Sequence, residues 1–510
     1  MQIIPLCFIV AYWAERDGDR VAICHEGQAI TWSELETSTN RLARDYDSLG
    51  VGRDDFVTIA LPNGIEFFEA TIATWKAGAT PQPVSAKLPR MERDQIVESC
   101  NPKLVVGVPD GAHPERPTLP VGHKPDSGLS DVPLGERVAA SFKAMTSGGS
   151  TGCPKLIISK TPAVCDIDAD WLQIPMQGSM LIPGPLYHNG PFSFGINALF
   201  RGYTITLTTR FDAEEVLRII ERDRIDLVYM VPTMMQRIWN LPEEVRTQYD
   251  LSSLKMLWHL AAPCPTWLKE AYIDWLGASV IWELYGVTEG LGGTVITGEE
   301  WLNHRGSVGK PNANCEIIIV DESDRELPPN EIGEVYMRPL TGQGSTYRYI
   351  GGEAKAISGG FESMGDMGYF DDDGYLYLAD RQADMILSGG ANIYPAEVEA
   401  AIDACPGVRS SAVIGLPHES LGNAVHAIVD APDGLLTEKV LLDHLAERLV
   451  RYKIPRTIEF SHETLRDDAG KIRRKALRTE ILKKAKREVG RQPSHESRQN
   501  PGQEDLDAIA

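Results

Sequence analysis

Over the first two-thirds of the chain, short β-branched runs alternate with stretches of helical periodicity, and this alternation restricts the fold more than any other feature. Phe56-Val57-Thr58-Ile59-Ala60-Leu61 reads as a buried strand, followed by the Pro62-Asn63-Gly64 turn and a helix over Ile65 to Trp75. Leu104-Val105-Val106, Ile205-Thr206-Leu207 and Leu227-Val228-Tyr229-Met230 read as further strands, with a helix over Ala213 to Arg222 between the last two. Apolar strands separated by helices belong to mostly parallel sheets covered by helices, the α/β arrangement. At 510 residues the chain exceeds the ~250–300 that one core supports, so more than one domain is expected.

Around Asp366 the texture changes. Tyr369-Phe370, the acidic turn Asp371-Asp372-Asp373-Gly374 and Tyr375-Leu376-Tyr377-Leu378 read as a hairpin. The three carboxylates lack the twelve-position spacing and distal Glu of an EF-hand loop, so a solvated turn is expected there. After Asp380-Arg381 comes a smaller α+β pattern: strands at Ile386-Leu387-Ser388, Ala412-Val413-Ile414 and Ala427-Ile428-Val429, and helices over Pro395 to Ala404 and Leu441 to Val450. Beyond about Arg487 apolar residues almost vanish, and a disordered tail is expected.

Composition removes several classes. Hydrophobic residues at 43% and charged residues at 24% are those of an ordinary globular protein. Fifty Lys and Arg face seventy-two Asp and Glu, a formal charge of −22, so nucleic acid is not an expected partner. The eight cysteines are scattered, with no C-x-x-C pair and no zinc spacing, which reads as thiols of a reducing, cytoplasmic compartment. Ile3 to Trp13 is apolar, but it lacks a basic flank and a cleavage site and runs into Glu15 and Arg16. A docked N-terminal helix is expected there, not a leader. No segment approaches the ~20 apolar residues of a membrane span.

The most informative stretch is Thr146-Ser147-Gly148-Gly149-Ser150-Thr151-Gly152-Cys153-Pro154-Lys155. Glycines let backbone N–H groups approach a phosphate, hydroxyls donate to its oxygens, and a lysine adds a compact positive charge. No Walker A register can be drawn, and Leu156-Ile157-Ile158 behind the loop reads as strand, not helix. A dinucleotide G-x-G-x-x-G is likewise absent.

Downstream, in order, come Glu283-Leu284-Tyr285-Gly286-Val287-Thr288-Glu289, Gly365-Asp366, Asp380-Arg381-Gln382-Ala383-Asp384 and Gly470-Lys471. With these motifs the sequence resembles the adenylate-forming superfamily of acyl-CoA synthetases, peptide-synthetase adenylation domains and luciferases, from about Tyr12 to about Leu482. The resemblance implies a large N-terminal domain over 1–379, a smaller mobile α+β domain over 380–487 turning at Asp380, and a tail over 488–510. It implies an AMP-forming acid–CoA ligase that uses ATP, Mg²⁺ and CoA and activates a small-molecule carboxylic acid as acyl-AMP. A homodimer is compatible with it. An amide synthetase, passing the same adenylate to an amine, is the alternative that the motifs leave open; a nucleotide-binding regulator without chemistry is disfavoured, because Glu289, Asp366, Arg381 and Lys471 are all present.

The resemblance also assigns roles. Thr146 to Gly152 (Thr146, Ser147, Gly148, Gly149, Ser150, Thr151, Gly152) and Lys155 would cradle the phosphates. Tyr285 and Gly286, above Ala261-Ala262-Pro263, would hold adenine, Asp366 would accept from both ribose hydroxyls, and Arg381 would support the ribose and phosphate side. Glu289 would hold Mg²⁺ and Thr288 would donate to the α-phosphate. Lys471 would bridge the carboxylate and the α-phosphate, with Arg473, Arg474 and Lys475 as a solvated face. His188, in Pro185-Leu186-Tyr187-His188-Asn189-Gly190-Pro191, would gate entry of the acid. Ser388-Gly389-Gly390 would approach the adenylate after rotation at Asp380. Lys453 is a candidate for CoA phosphates, with a solvated lysine as the competing reading.

Two positions depart from the family's pattern. Gly148 occupies a slot where Ser or Thr is common, an alternative shared with bile-acid-type CoA ligases and some amide-forming ligases, and Met364 stands where Thr usually precedes Gly-Asp. Phe192, Phe194, Trp258, His259 and Leu291 are expected as walls of an apolar acyl site. Such walls favour an aryl, medium or long acyl, or steroid-like acid over acetate.

Overall fold

The computed structural model describes residues 2–147, 155–381, 384–388, 391–418, 420–432, 434–467 and 470–489. The loop residues Gly148 to Gly152, together with Gly389 and Gly390, lie outside the described residues, as do 490–510; the side chains of Ser147, Asp380 and Arg381 are likewise not described.

One sheet organises the molecule. Val21–His25, Thr204–Leu207, Ser179–Ile182, Leu227–Met230, Met256–His259 and Ile281–Gly286 lie side by side and parallel, in that order. The near-continuous apolar character of these strands follows from burial on both faces; Ile23, Met180, Ile205, Val228, Trp258 and Ile281 are inaccessible to solvent. The helix Ala213–Arg222 is capped by Asp212, which accepts from the backbone N–H of Glu215, and it turns Val216, Leu217, Ile219 and Ile220 inward. Beyond Ile281–Gly286 the same sheet continues antiparallel through Gly293–Thr297, Ser307–Pro311, Leu376–Arg381, Glu362–Phe370, Gly333–Pro339 and Cys315–Val320.

A second, parallel sheet runs Thr80–Pro83, Phe56–Ile59, Leu104–Val106, Thr118–Leu119. A three-stranded antiparallel sheet presents the glycine-rich loop: Ala144–Ser147 enters it, Lys155–Ser159 leaves it, and Tyr347–Ile350 lies on the far side of the latter. The strand expected after Lys155 is therefore present. The acidic hairpin pairs Phe370 with Leu376, and the Asp371 carboxylate closes it by accepting from the backbone of Asp373 and Tyr375.

From Ile386 onward a five-stranded sheet of Ile386–Ser388, Ala391–Ile393, Ser410–His418, Gly422–Asp430 and Thr457–Ser461 carries the helices Pro395–Asp403 and Glu438–Ala446. It has its own core of Ile393, Val398, Ile402, Val413, Val429, Leu441 and Leu445, which makes it the smaller α+β domain. The helix expected from Leu441 starts at Glu438, because the Thr437 side chain caps it by accepting from the N–H of Val440. The final helix runs Arg474–Val489, two residues into the expected tail.

At the N-terminus a helix does dock, but it spans Ile9–Asp17. Residues before it are drawn into strand Ile3–Pro5, paired with Val164–Asp166. Among the described residues no helix is long and apolar enough to cross a membrane, and seven cysteines are free thiols.

Candidate active site

The parallel strands Ser179–Ile182, Leu227–Met230, Met256–His259 and Ile281–Gly286 deliver their following loops to one edge of the sheet, the carboxyl edge at which open α/β sheets bind ligands. His188 stands there as the N-cap of helix Asn189–Phe200, its ring 4.3 Å from that of Tyr187. Ala261 turns the next loop with φ of +74°, a left-handed conformation costly for a residue with a Cβ. Ala262 and Pro263 follow it in the same loop.

Glu289 is a buried carboxylate, 8% exposed. Tyr349, on the strand beside the glycine-rich loop, donates its hydroxyl to Glu289 Oε1 at 2.6 Å and lies 3.8 Å from Met364 Sδ. Burial, followed by the hydrogen bond to Glu289, holds the Tyr349 phenol well above its ordinary range, so it stays a donor. Lys155 Nζ sits 5.3 Å from the centroid of the same ring. Gly352 packs against the Lys155 stem, where a Cβ would stand 2.6 Å from Cδ. One phenol thus ties together the cation that ends the loop, the buried carboxylate and the methionine in place of the usual threonine. Glu289 offers hard oxygen donors of the kind that Mg²⁺ takes one or two at a time alongside water and phosphate oxygens; the residues present fit that ion.

Tyr285 donates its hydroxyl to Asp366 Oδ2 at 2.7 Å, which joins two motifs 81 residues apart. Asp366 in turn faces Arg381 in the register of the antiparallel pair Glu362–Phe370 and Leu376–Arg381. At the mouth of the loop, Thr146 Oγ1 accepts from Gln82 at 2.8 Å, whose own oxygen accepts from Thr58. The Thr146 proton is thereby left to point elsewhere.

Lys471 lies on a short hairpin bridged at Arg466 and Ile472. Gly470 has φ of +75°, and a Cβ there would fall 2.7 Å from Thr233 Oγ1 and 3.5 Å from Val231, so this loop is seated against the start of helix Pro232–Trp239 in the large domain. Arg474 corrects the expectation of a solvated basic face. It donates to both oxygens of Glu399 at 2.8 Å and to Asp384 at 3.0 Å, because helix Pro395–Asp403 buries Glu399 and Asp403 and a buried carboxylate needs a paired cation. Arg466 reaches the same two acids. Arg473 and Lys475 are exposed as expected. Lys453 is held by both oxygens of Glu397 at 2.6 Å, an ion pair that offsets its charge and leaves one of its three donors over. Ser388 ends strand Ile386–Ser388, paired with Gly422.

The expected acyl walls divide. Phe194 packs against Trp171, Tyr229 and Trp258 at 5.0, 5.1 and 6.0 Å between ring centroids, and Trp282 lies 5.1 Å beyond Trp258. Phe192, two positions away on the same helix, turns instead to Phe67. His259 alternates to the opposite sheet face from Trp258; it is fully buried 3.9 Å from Glu283, and burial lowers its imidazole to about 4. Glu283 is paired with buried Lys269 at 2.6 Å. Leu291 belongs to a separate cluster with Ile157, Cys315 and Ile317. Sequence reasoning thus missed Tyr349, Glu399, Asp403 and Arg474; the one available signal was the Glu399 and Asp403 spacing of four on a helical pattern.

The family described as "AMP-binding enzyme" matches residues 10–344, and "AMP-binding enzyme C-terminal domain" matches residues 397–471. The chain is 31% identical over 482 residues to a feruloyl-CoA synthase of Amycolatopsis sp, covering 88% of this chain and 94% of that one. It is 29% identical over 472 residues to the long-chain-fatty-acid–CoA ligase FadD13 of Mycobacterium tuberculosis, covering 88% and 92%. The o-succinylbenzoate coenzyme A synthetase (MenE) of Bacillus subtilis, in complex with ATP and magnesium ion, superimposes with a TM-score of 0.79 at 25% identity, covering 93% of this chain and 100% of that one.

Proposed function

Since the chain belongs to the AMP-binding enzyme family, we propose that it is an AMP-forming acid–CoA ligase. A carboxylate oxygen attacks the α-phosphorus of ATP, the bond from that phosphorus to the bridging oxygen breaks, and pyrophosphate leaves with the bonding pair. The CoA thiolate then attacks the acyl carbon, and the carbon–oxygen bond to AMP breaks. The observation that carries this reading is the meeting at one sheet edge of the Tyr285–Asp366 hydrogen bond, the buried Glu289 and a Lys471 loop seated on Val231 and Thr233.

Two anions must come together, so the protein's work is positioning and charge neutralisation. Lys471 supplies a cation between carboxylate and α-phosphate, and Thr288 donates a hydroxyl there. Tyr285 and Gly286, over Ala261, Ala262 and Pro263, take adenine; Asp366, once Tyr285 Oη turns aside, takes the ribose hydroxyls, with Arg381 beside it. The loop from Thr146 to Lys155 takes the β- and γ-phosphates. Glu289, oriented by Tyr349, would hold Mg²⁺, which when bound neutralises phosphate charge. His188 gates the acid, whose apolar part meets Phe194, Tyr229 and Trp258; that aromatic wall suits an aryl or long acyl acid, in line with the ferulate and long-chain fatty acids in the relatives' names. Rotation at Asp380 would then bring Ser388 and the two glycines after it toward the adenylate. Lys453 would meet CoA beside its pair with Glu397. Seven free thiols suit a cytoplasmic setting.

Pyrophosphate release across a panel of carboxylic acids, with and without CoA, tests the reading. Acid-dependent release with thioester formation supports it, and Lys471→Ala should abolish release while leaving ATP binding within about threefold, since Lys471 acts on the transition state. Turnover with an amine acceptor alone would replace it with amide synthesis.

A further inference from the structure

Lys143 stands immediately before strand Ala144–Ser147, which leads into the glycine-rich loop. Its side chain is buried, 9% exposed. Nζ donates to Asn189 Oδ1 at 2.5 Å and to Ser193 Oγ at 2.8 Å, and it lies 5.1 Å from the Phe142 ring centroid. Asn189 and Ser193 stand one turn apart at the start of the helix that His188 caps. Among the described residues, neutral oxygens receive this buried ammonium, and it lies under a helix N-terminus that is itself positive. The charged groups on the surrounding elements are committed elsewhere. On helix Ile65–Lys76, Glu66 accepts from Gly122, Glu69 faces Lys124 and Lys76 pairs with Glu36. On the neighbouring strand Lys155 lies over Tyr349, and Lys160 just beyond it donates to Gly344. Among the described residues no carboxylate comes within ion-pair distance of Lys143; the titratable groups near this turn are His188, Tyr187 beside it and Tyr229, whose hydroxyl lies against Gly190 and whose phenol is held well above its ordinary range by burial.

We propose that Lys143 is a positioning residue for the acid-activation step: it clamps the His188 helix to the strand of the phosphate loop, and its positive charge is completed when a substrate carboxylate arrives at His188. The inference rests on the acid-activation reading. Two features of the geometry lead to it. The clamp joins the element that receives the acid to the element that receives the phosphates, so their separation is set by one side chain. The uncompensated site has room in its electrostatics for one anion, and the reaction brings one to the end of the same helix turn. Burial alone lowers Lys143 to about 7 in the ligand-free protein, so above neutrality the amine is largely neutral and must take up a proton as the carboxylate binds.

The sign is specific. Because the bound state holds the extra proton, KM for the acid should rise with pH above about 7, by up to about tenfold per pH unit, while KM for ATP stays flat. Lys143→Met keeps the length of the side chain and removes charge and donors. It should raise the acid KM about tenfold or more at neutral pH and abolish its pH slope. Lys143→Arg stays charged at every pH used, so it should recover part of the affinity with no slope. His188 is common to all three proteins, so the differences isolate Lys143. Cinnamate and octanoate serve as aryl and aliphatic probes. In parallel, ¹³Cε-lysine NMR of the ligand-free protein, with the Lys143 signal identified by its loss in Lys143→Met, should show titration near neutrality. An ordinary lysine titration, or an acid KM that is flat with pH in the wild type and unchanged in Lys143→Met, overturns the proposal. Failure of every acid to release pyrophosphate would overturn the ligase reading instead, and the NMR titration, read without substrate, separates the two.

Discussion

Replacing Tyr349 with Phe removes one oxygen and little else, and the structure allows its effect to be sized. The lost hydroxyl donates at 2.6 Å to a carboxylate that is 8% exposed. A hydrogen bond to a charged group is worth about 1.5–3 kcal/mol net. Independently, removing a group that orients a metal-binding carboxylate costs about 10–100-fold in metal affinity, which at about 1.4 kcal/mol per tenfold is about 1.4–2.7 kcal/mol. The two estimates overlap, as they should if the hydroxyl acts through Glu289 on Mg²⁺. The assay is the rate of pyrophosphate release against Mg²⁺ concentration at saturating ATP and acid. The half-saturating concentration should rise about 10–100-fold, with most of the rate recovered at high Mg²⁺. Tyr347→Phe is the comparison: its hydroxyl donates to Glu362 and only neighbours that of Tyr349, so it should lower Tm while moving the Mg²⁺ curve less than Tyr349→Phe does. A Tyr349→Phe enzyme with a lower Tm and the wild-type Mg²⁺ dependence would refute the reasoning.

Lys269→Met strands buried Glu283 without its partner 2.6 Å away and should cost about 3–5 kcal/mol in denaturant unfolding, whereas Lys269→Met with Glu283→Leu should recover most of it; equal losses would count against a buried pair. Burial raises Asp403 to about 7 despite Arg466. A carboxyl with a raised folded-state value favours folding while protonated, so its contribution should fade as pH climbs from about 4 through about 7. Asp403→Asn should flatten that part of the stability profile, and an unchanged slope would refute the assignment.

What the sequence discloses depends on whether the signal is local. Leu104–Val106, Ala213–Arg222 and Leu227–Met230 fall where periodicity puts them, because each buries a pattern that it carries by itself. The ordered glycine-rich loop, Tyr285, Glu289, Asp366 and Lys471 are legible through the resemblance of their motifs to a known family, not through periodicity. Tyr349 is not, since it acts on Glu289 from a strand 60 residues later whose register against Lys155–Ser159 has no local mark. Arg474 is misread because a basic run looks alike whether it faces water or two buried acids on another helix. Phe192 and Phe194 show the finer limit: two residues apart on one helix and within one core, they meet different aromatic partners, Phe67 and Trp171, and composition does not say which.

Bonding of a carboxylate oxygen to the α-phosphorus of ATP defines the first half-reaction. It is tested most directly with an acid labelled in both carboxylate oxygens with ¹⁸O, followed by mass spectrometry of the nucleotide product. Attack at the α-phosphorus and later cleavage of the acyl carbon–oxygen bond leave one labelled oxygen on AMP, with pyrophosphate unlabelled. Label in inorganic phosphate alongside ADP, or AMP that carries none, would contradict the account.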